Sequence, residues 1–264
     1  MYIANGDTRK LAASIRAEIE FAGDIVEGHR GAPVKRVQEW LTLHGFGVAI
    51  DGGFGSVTKR AVQRFQTNAG LEATGIVDQA TFERLVQPMM TALAPAINRD
   101  VLTIEDATMA YARSHLKLHP IEVGGQNRGP WVRLYMRGRE GTDWAWCAGF
   151  VTFVMAQAAE SMNVSMPIEG SFSCDSLAAQ ARTAGLFVAE REAMKNVVPG
   201  SLFLVRRTAT DWTHTGIVAQ AADGTFDTIE GNTNDDGHRE GFEVCSRSRG
   251  FKGKDFIRLT LRAR

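Results

Sequence analysis

The spacing of apolar residues in this chain changes near residue 200, and that change limits the folds that the chain can adopt. Before this point apolar residues recur every three or four positions, as Phe150, Val151 and Val154 do, which is typical of helices. After it, short apolar runs alternate with glycine, asparagine and aspartate turns, which is typical of antiparallel strands. The expected strands are 202–205, 213–220, 225–230, 242–245 and 256–259. Helices followed by such a sheet predict an α+β domain.

The composition is that of a globular protein with balanced charge. The chain has 264 residues, of which 44% are hydrophobic and 23% charged, enough for two small domains or one large one. Thirty basic and thirty acidic residues cancel, which argues against binding to nucleic acid or to an anionic surface through net charge. Three cysteines do not make a disulfide framework. The N-terminus lacks a signal-peptide pattern and no run suits a membrane span, so we expect a protein made in the cytoplasm without a signal peptide.

The first ninety residues predict a helix followed by a compact unit of three helices. Residues 7–27 have a moderately amphipathic pattern, to which we assign no function. A short repeat follows, in which Gln38 precedes Gly45 at the same spacing as Gln63 precedes Gly70. This repeat implies two similar helices. A third short helix carries Phe82, Leu85 and Val86.

Cys147 lies between a tryptophan-rich loop and the first turn of an apolar helix. Free backbone N–H groups and the dipole at a helix start favour the thiolate, which is the nucleophilic form of cysteine. The alternative is that a lone cysteine fills space in a core. Residues 122–130 form a loop rich in glycine and side-chain amides, which either holds its own backbone or contributes donors to a site.

Two of the expected strands bring polar side chains to one face of the sheet. If residues 222–224 form a three-residue turn, His214 lies opposite Asn232, with Glu230 two residues away on the same face. A two- or four-residue turn would move His214 to the other face. Together with Cys147, these side chains would supply a nucleophile, a base and the groups that orient it, which is the arrangement of a cysteine hydrolase.

The residues around the repeat resemble a known wall-binding module. Val-Gln-x-Trp-Leu, Asp-Gly-x-Phe-Gly-x-x-Thr, Ala-Val-x-x-Phe-Gln, Thr-Gly and Asp-x-x-Thr follow one another, and residues 28–87 resemble the peptidoglycan-binding type 1 module. The resemblance implies an all-α, three-helix domain that binds the bacterial cell wall. It implies contact through a loop of Asp51, Gly52, Phe54 and Thr58, while Asp51 and Thr58 also suit turn and helix caps and Phe54 suits a core position.

A second resemblance covers residues 103–264. Trp-Cys-Ala-x-Phe-Val, x-His-Thr-Gly-Ile-Val and Ile-Glu-Gly-Asn resemble the CHAP domain, a papain-like α+β amidohydrolase of the NlpC/P60 group with an antiparallel sheet. By this resemblance Cys147 is the nucleophile, His214 the general base and then acid, Glu230 the group that orients the imidazole, and Asn232 an accessory catalytic residue. The residues expected to contact substrate are Asn127, Trp146, Trp212 and Ser173.

No metal and no cofactor are expected, because the remaining histidines lack acidic or thiol companions at the spacing of metal ligands. These histidines are His29, His44, His115 and His119, and His238 is expected in a loop.

The two resemblances imply a two-domain peptidoglycan hydrolase similar to phage endolysins and related bacterial enzymes, with residues 1–27 as an N-terminal helix and 88–102 as a linker. The bond cut would be the N-acetylmuramoyl-L-alanine amide or a peptide bond of the stem or cross-link. Bacterial peptidoglycan is the expected partner, and the expected state is a monomer that acts on the wall after release or delivery. An endolysin would be released through holin pores. An antibacterial toxin with the same chemistry would be injected, and an immunity protein would accompany it. One alternative is a non-catalytic wall-binding protein. Another is a cysteine acyltransferase or a protease that acts on proteins.

Overall fold

The structure is a computed structural model that describes residues 2–4, 6–97, 103–222, 224–234 and 241–260. His238, Asp223 of the expected turn and residues 98–102 of the expected linker therefore lie outside the described residues. The N-terminal elements are a 3-10 helix Thr8–Lys10 and helices α1 Ala13–Ile19, α2 Ala32–Leu43, α3 Ser56–Asn68 and α4 Gln79–Leu93. The later helices are α5 Ile104–Leu118, α6 Pro130–Tyr135, α7 Cys147–Met162, α8 Cys174–Thr183 and α9 Glu190–Asn196. The strands are β1 Phe187–Val188, β2 Leu202–Thr208, β3 Asp211–Ala222, β4 Thr225–Thr233, β5 Glu243–Gly250 and β6 Lys254–Ile257.

Helices α2, α3 and α4 form the predicted three-helix unit. Pro33 occupies the first turn of α2, where a backbone N–H has no helical partner to lose. After α3 the chain turns at Gly70, whose φ of +71° is the left-handed conformation that glycine adopts without strain. Helix α1 is shorter than the pattern of residues 7–27 predicts, because the chain becomes extended after it and Ile25 pairs with Val77 in an isolated antiparallel bridge.

The prediction that residues 88–102 form a linker is wrong over its first part, because α4 continues through Pro88 to Leu93. A proline inside a helix removes one hydrogen bond and costs about 3 kcal/mol. Burial offsets that cost, since Met89 and Leu93 are completely buried and each such side chain contributes about 1.5–3 kcal/mol. The described part of the connector between α4 and α5 consists of residues 94–97 and Thr103.

The second unit contains the antiparallel sheet that the change in spacing predicts. Its six strands have the order β1-β6-β2-β3-β4-β5. Strand β5 is longer than the predicted 242–245, because it continues to Gly250 and pairs with β4. Helix α7 packs on β3 and β4 and is in turn contacted by α5. Within the ranges that the structure describes, no helix combines the length and apolar character needed to cross a membrane.

The pairing of β3 with β4 near His214 has the predicted register, although the turn between the two strands differs from the prediction. Ala222 pairs with Thr225, so the turn between the strands has two residues rather than three. That turn alone would have placed His214 on the opposite face. A bulge at Ala219 shifts the register by one residue. From Val218 back toward His214, the pairing is therefore the one predicted from a three-residue turn. The predicted turn is therefore wrong, and His214 nevertheless shares a face with the predicted residues of β4.

The two units share a continuous buried core. Trp40 of α2 packs edge-on against Trp131 of α6, with ring centroids 5.8 Å apart. Beside this contact, the buried guanidinium of Arg133 on α6 pairs with Glu18 of α1 at 2.8 Å and with Glu39 of α2 at 2.6 Å. The three-helix unit is therefore packed directly against the unit that contains the sheet.

Candidate active site

Cys147 is the first residue of α7, as the sequence predicts, and is 6% exposed. Two glycines allow this end of the helix to lie close to its neighbours. A Cβ atom on Gly149 would lie 2.9 Å from the carbonyl oxygen of Tyr135, and one on Gly231 would lie 2.7 Å from the Cβ atom of Phe150. A side chain at either position would push α7 away from α6 or from β4. Gly149 lies in the motif Trp-Cys-Ala-x-Phe-Val and Gly231 in Ile-Glu-Gly-Asn. The packing shows why each position requires glycine.

His214 on β3 and Glu230 on β4 form the second part of the site. The Nε2 atom of His214 lies 2.7 Å from Oε2 of Glu230, which is completely buried. Gly216 permits this approach, because a Cβ atom there would lie 2.8 Å from the Cγ atom of Glu230. Thr228 donates its hydroxyl to the other carboxylate oxygen at 2.5 Å. The carboxylate therefore fixes the imidazole through Nε2 and leaves Nδ1 for the thiol.

Arg249 on β5 completes the support of Glu230. Its Nε and Nη2 atoms donate to the two carboxylate oxygens, and its guanidinium lies 5.2 Å from the ring centroid of Phe203. Burial raises the pKa of Glu230, but the hydrogen bonds from Arg249 and His214 outweigh it and lower the pKa to about 2. The carboxylate is thus ionised at any physiological pH. Sequence reasoning missed Arg249, and the available signal was the alternation of half-buried and exposed residues along β5.

The Cys147 thiol and the His214 imidazole interact, and each shifts the pKa of the other. Burial acts to lower the pKa of His214, but hydrogen bonds and charge from Cys147 and Glu230 outweigh it and raise the pKa to about 9. Interaction with the Cys174 thiol, and then with His214, holds the pKa of Cys147 well below its ordinary value in spite of burial. Both shifts favour the thiolate–imidazolium form, which is the reactive state of such a pair.

Asn232 and Asn127 hold the entry to α7. The Oδ1 atom of Asn232 accepts a hydrogen bond from the N–H of Trp146 at 2.9 Å, and its Nδ2 donates to the Gly241 carbonyl at 2.7 Å. The same Nδ2 lies 3.3 Å from Oδ1 of Asn127, which is buried. These contacts make Asn232 a support for the helix start that carries Cys147, and they make Asn127 a support for Asn232. The accessory catalytic role of Asn232 and the contact of Asn127 with substrate stay predictions.

The two tryptophans expected at the substrate are both buried. Trp146 is completely buried and stacks on Tyr135, with ring centroids 5.4 Å apart. Trp212 is 6% exposed and donates its Nε1–H to Asp255 at 3.0 Å. The prediction that Trp146 contacts substrate is corrected, because its ring has no exposed surface and stabilises the core. Contact of Trp212 with substrate stays a prediction, since this ring is as exposed as Cys147. Ser173 is exposed and caps α8, and its contact with substrate stays a prediction.

The loop expected to contact the cell wall is held from inside by Gln38. This buried amide accepts a hydrogen bond from the Gly52 N–H at 2.8 Å and donates to Asp51 at 2.9 Å and to Thr58 at 3.3 Å. Phe54 and Thr58 are buried, so they serve the core and the loop. Asp51 is exposed, and hydrogen bonds from Gln38 and from a backbone N–H of the loop lower its pKa. Of the four predicted contact residues, Asp51 and Gly52 are the two that reach the surface.

The same arrangement occurs a second time around Gln66. Its side chain accepts a hydrogen bond from the Gly75 N–H at 2.8 Å and donates to Thr81 at 3.0 Å. The sequence repeat pairs Gln38 with Gln63, whereas the structure gives the equivalent role to Gln66. Each buried glutamine thus joins its own helix to the following glycine turn and to a threonine of the next helix, which a count of spacing does not predict.

Comparison with known proteins identifies one segment of the chain. Residues 30–85 match the family of peptidoglycan binding domains. The zinc D-Ala-D-Ala carboxypeptidase of Streptomyces albus G is 43% identical over 70 residues, which are 25% of this chain and 28% of that protein. The chain therefore spans little more than a quarter of this relative.

Three solved structures match a similar share of the chain. The SleB N-terminal domain is 33% identical over 26% of this chain and 96% of its own, with a TM-score of 0.25. A peptidoglycan-binding protein from Clostridioides difficile, in complex with glutamine hydroxamate, is 37% identical over 31% of this chain and 47% of its own, with a TM-score of 0.25. The Burkholderia AP3 phage endolysin is 32% identical over 36% and 33%, with a TM-score of 0.24. Residues 30–85 of this chain therefore belong to the peptidoglycan binding domain family.

Proposed function

We propose that this chain is a cysteine peptidoglycan hydrolase that cleaves an amide or peptide bond of murein. The observation that carries the proposal is the cluster of Cys147 at the start of α7, His214, and the buried Glu230 whose carboxylate lies 2.7 Å from the His214 imidazole. The peptidoglycan binding domain at residues 30–85 supports murein as the substrate. Because this domain packs against the unit that holds the site, binding to the wall would raise the local concentration of the bond to be cut. Such a hydrolase acts after release or delivery to the wall.

Acylation begins when the Cys147 sulfur attacks the carbonyl carbon of the bond. Negative charge then develops on the carbonyl oxygen, and the free N–H groups of the first turn of α7, with that of Cys147 nearest, stabilise it. The imidazolium of His214 gives its Nδ1 proton to the leaving amine. The C–N bond breaks, the amine departs, and the acyl group remains on Cys147 as a thioester.

Deacylation uses the same groups in the reverse direction. Neutral His214 takes a proton from a water molecule, whose oxygen attacks the thioester carbonyl. The C–S bond breaks, the acid product leaves, and the thiolate and imidazolium are restored. Glu230 holds the Nε2 side of the ring in both steps, and Arg249 keeps the carboxylate in place.

We expect Glu230→Gln to move the alkaline limb of the kcat/KM profile to lower pH. Glutamine removes the negative charge that helps to raise the pKa of His214 to about 9, so the imidazolium loses its proton at lower pH. The rate near pH 8 should fall by about tenfold to a hundredfold, measured as release of soluble murein fragments. Asp227→Asn, which changes an exposed carboxylate on the same strand, is the control and should leave the profile unchanged. A limb at the wild-type pH in Glu230→Gln would refute the role of this carboxylate.

We expect Gln38→Ala to weaken retention of the protein on murein. The change leaves the Gly52 N–H without its acceptor and frees the loop that carries Asp51. Loss of these partly buried hydrogen bonds should destabilise the three-helix unit by about 1–3 kcal/mol. The measurements are the thermal midpoint and the fraction of protein that pellets with purified murein. Gln63→Ala on α3, whose side chain is half-exposed, is the matched control, and an equal effect of both substitutions would rule out a specific role for Gln38.

Digestion of purified murein by the wild-type protein tests the proposed function. The soluble products are separated and identified by mass spectrometry, and the reaction is repeated with protein whose Cys147 has been alkylated. New amino termini would identify a peptide bond as the site of cleavage, and free lactyl groups would identify the N-acetylmuramoyl-L-alanine amide. Either product should be absent after alkylation of Cys147.

A wild-type protein that pellets with murein but releases no fragment would overturn the proposed function. That outcome would favour the reading of the chain as a non-catalytic wall-binding protein. Release that survives complete alkylation of Cys147 would place the chemistry on another residue.

A further inference from the structure

Two arginines and two aromatic rings form a cluster at the surface of the sheet-containing unit. The Arg139 guanidinium lies 4.9 Å from the ring centroid of Trp144 and 5.4 Å from that of Phe172. The Arg137 guanidinium lies 5.8 Å from the Phe172 ring, and the two rings meet edge to face with centroids 6.4 Å apart. Both arginines are exposed and both rings are half-buried. We call these four residues the arginine–aromatic cluster.

The cluster lies near the proposed nucleophile. Trp144 is three residues before Cys147, so their Cα atoms can be no more than about 11 Å apart. Phe172 belongs to the loop before α8, which is tied to α7 by the Thr152 hydroxyl. This hydroxyl donates to the Ser171 carbonyl at 2.9 Å and accepts from the Ser171 N–H at 3.0 Å. Both rings therefore stand on loops anchored to the helix that begins at Cys147.

The guanidinium groups of the cluster have no carboxylate partner among the described residues. Arg137 donates from Nη2 to the Tyr2 hydroxyl at 3.0 Å, and the other contacts of the two groups are with the rings. Glu140 of the same loop is instead 17% exposed and pairs with Arg133 at 2.7 Å and Lys35 at 2.9 Å. The loop thus places its glutamate in the buried ionic cluster and its two arginines at the surface.

The backbone holds Arg137 in a conformation that usually belongs to glycine. This residue follows the end of α6 with a φ of +53°, and the Gly138 N–H donates to the Arg133 carbonyl at 2.7 Å, which closes the helix end. Glycine is the usual residue at this position, because a side chain is strained in the left-handed region. Strain of this kind is retained where the side chain has a use.

We propose that Arg137 and Arg139 form a subsite that binds a free carboxylate of the substrate near the bond attacked by Cys147. The proposal rests on the proposed function, since it names the class of peptide that the same site would accept. A guanidinium binds a carboxylate through two parallel N–H···O bonds. Stacking on the rings holds the planar groups in place, so less freedom is lost on binding. Murein stem peptides supply such carboxylates from side chains and from C-termini.

Binding of synthetic stem peptides to Cys147→Ala tests the subsite without cleavage. Calorimetry compares the free peptide with peptides amidated either at the side-chain carboxylate or at the C-terminus. Amidation of the bound carboxylate should weaken binding by about tenfold, and the position that matters identifies its source. After the further changes Arg137→Gln and Arg139→Gln, the free and amidated peptides should bind within about twofold of each other.

Fragment release by otherwise wild-type protein gives a second readout. Arg137→Gln with Arg139→Gln should raise KM by about tenfold and leave kcat within about twofold, because the subsite binds substrate and transition state alike. Lysine at both positions keeps the charge without the planar fork and should recover part of the loss. The control is Arg64→Gln with Arg207→Gln, which removes two exposed arginines, one of them 5.7 Å from the Phe46 ring. It should leave KM unchanged.

Three outcomes would overturn the subsite. They are equal affinity of Cys147→Ala for free and amidated peptides, no binding of the free peptide up to about 1 mM, or an equal rise in KM in the control pair, which would assign the effect to net charge. Failure of wild-type protein to release murein fragments would overturn the proposed function instead. The calorimetric comparison would still report whether the two arginines bind a carboxylate.

Discussion

Replacing Cys147 with alanine should abolish release of murein fragments, with a loss in rate of at least about 10⁴-fold. Alanine removes the atom that forms the thioester, and no neighbouring group of the described site replaces it. The fold should be unaffected, because alanine is the best helix former and α7 begins at this residue. The measurement is the rate of fragment release, with the thermal midpoint recorded for the same preparation.

The control for Cys147→Ala is binding, since residues 30–85 are unchanged in the variant. The fraction of Cys147→Ala that pellets with murein should equal that of the wild type. A variant that binds normally and keeps about a tenth of the wild-type rate would contradict attack by Cys147, because removal of a nucleophile costs far more. A variant that loses both binding and activity would point to a folding defect, which the thermal midpoint would reveal.

The order of the chemical groups along the chain could be predicted because it depends on local patterns. A cysteine before an apolar helical run, a histidine in one strand and a glutamate in the next each carry their own signal. The contact between His214 and Glu230 also required the correct face of the sheet. Here the turn is one residue shorter than predicted, and the bulge at Ala219 compensates for it. Such a bulge is a local adjustment that alternation of apolar residues does not reveal.

The supports of the site could not be predicted, because they come from residues distant in sequence. Arg249 reaches Glu230 from the neighbouring strand, and Asn232 reaches the start of α7 across the packed layers. The burial of Trp146 and Trp212 follows from partners that are equally remote. A tryptophan beside a catalytic motif suggests a cleft wall, but its ring position depends on whether the fold supplies a buried acceptor for its N–H.

The interface between the two units was the largest structural feature absent from the sequence analysis. A linker pattern predicts independent domains, whereas the described residues show a shared core and a buried ionic cluster around Arg133. Its guanidinium contacts Glu18 through Nε and Nη2, Glu39 through Nη1 and Nη2, and Glu140 through Nη1. Although burial raises the pKa of Glu140, hydrogen bonds from the Gly129 N–H and from Lys35, with the charge of Arg133, lower it to about 2.

Replacing Arg133 with methionine should lower the free energy of unfolding by about 3–5 kcal/mol, because it leaves buried carboxylates without their main partner. Glu18 and Glu39 are at most 1% exposed, so water cannot replace the guanidinium. Lys35 and Arg36 remain as partial partners at 3.4 Å and 3.2 Å. The measurement is denaturant unfolding at neutral pH. The added substitutions Glu18→Gln and Glu39→Gln should recover part of the loss, since they remove the charges that Arg133 neutralises.

The matched control is Arg207→Met, which removes a pair with Asp211 in which the arginine side chain is 67% exposed. Its effect should stay below about 1 kcal/mol, because solvent screens an exposed pair. Equal losses in Arg133→Met and Arg207→Met would mean that the buried cluster does not join the two units. If the cluster does join them, folded Arg133→Met should lose more activity on intact murein than on soluble wall fragments. The binding domain would then no longer hold the site at a fixed distance from the wall.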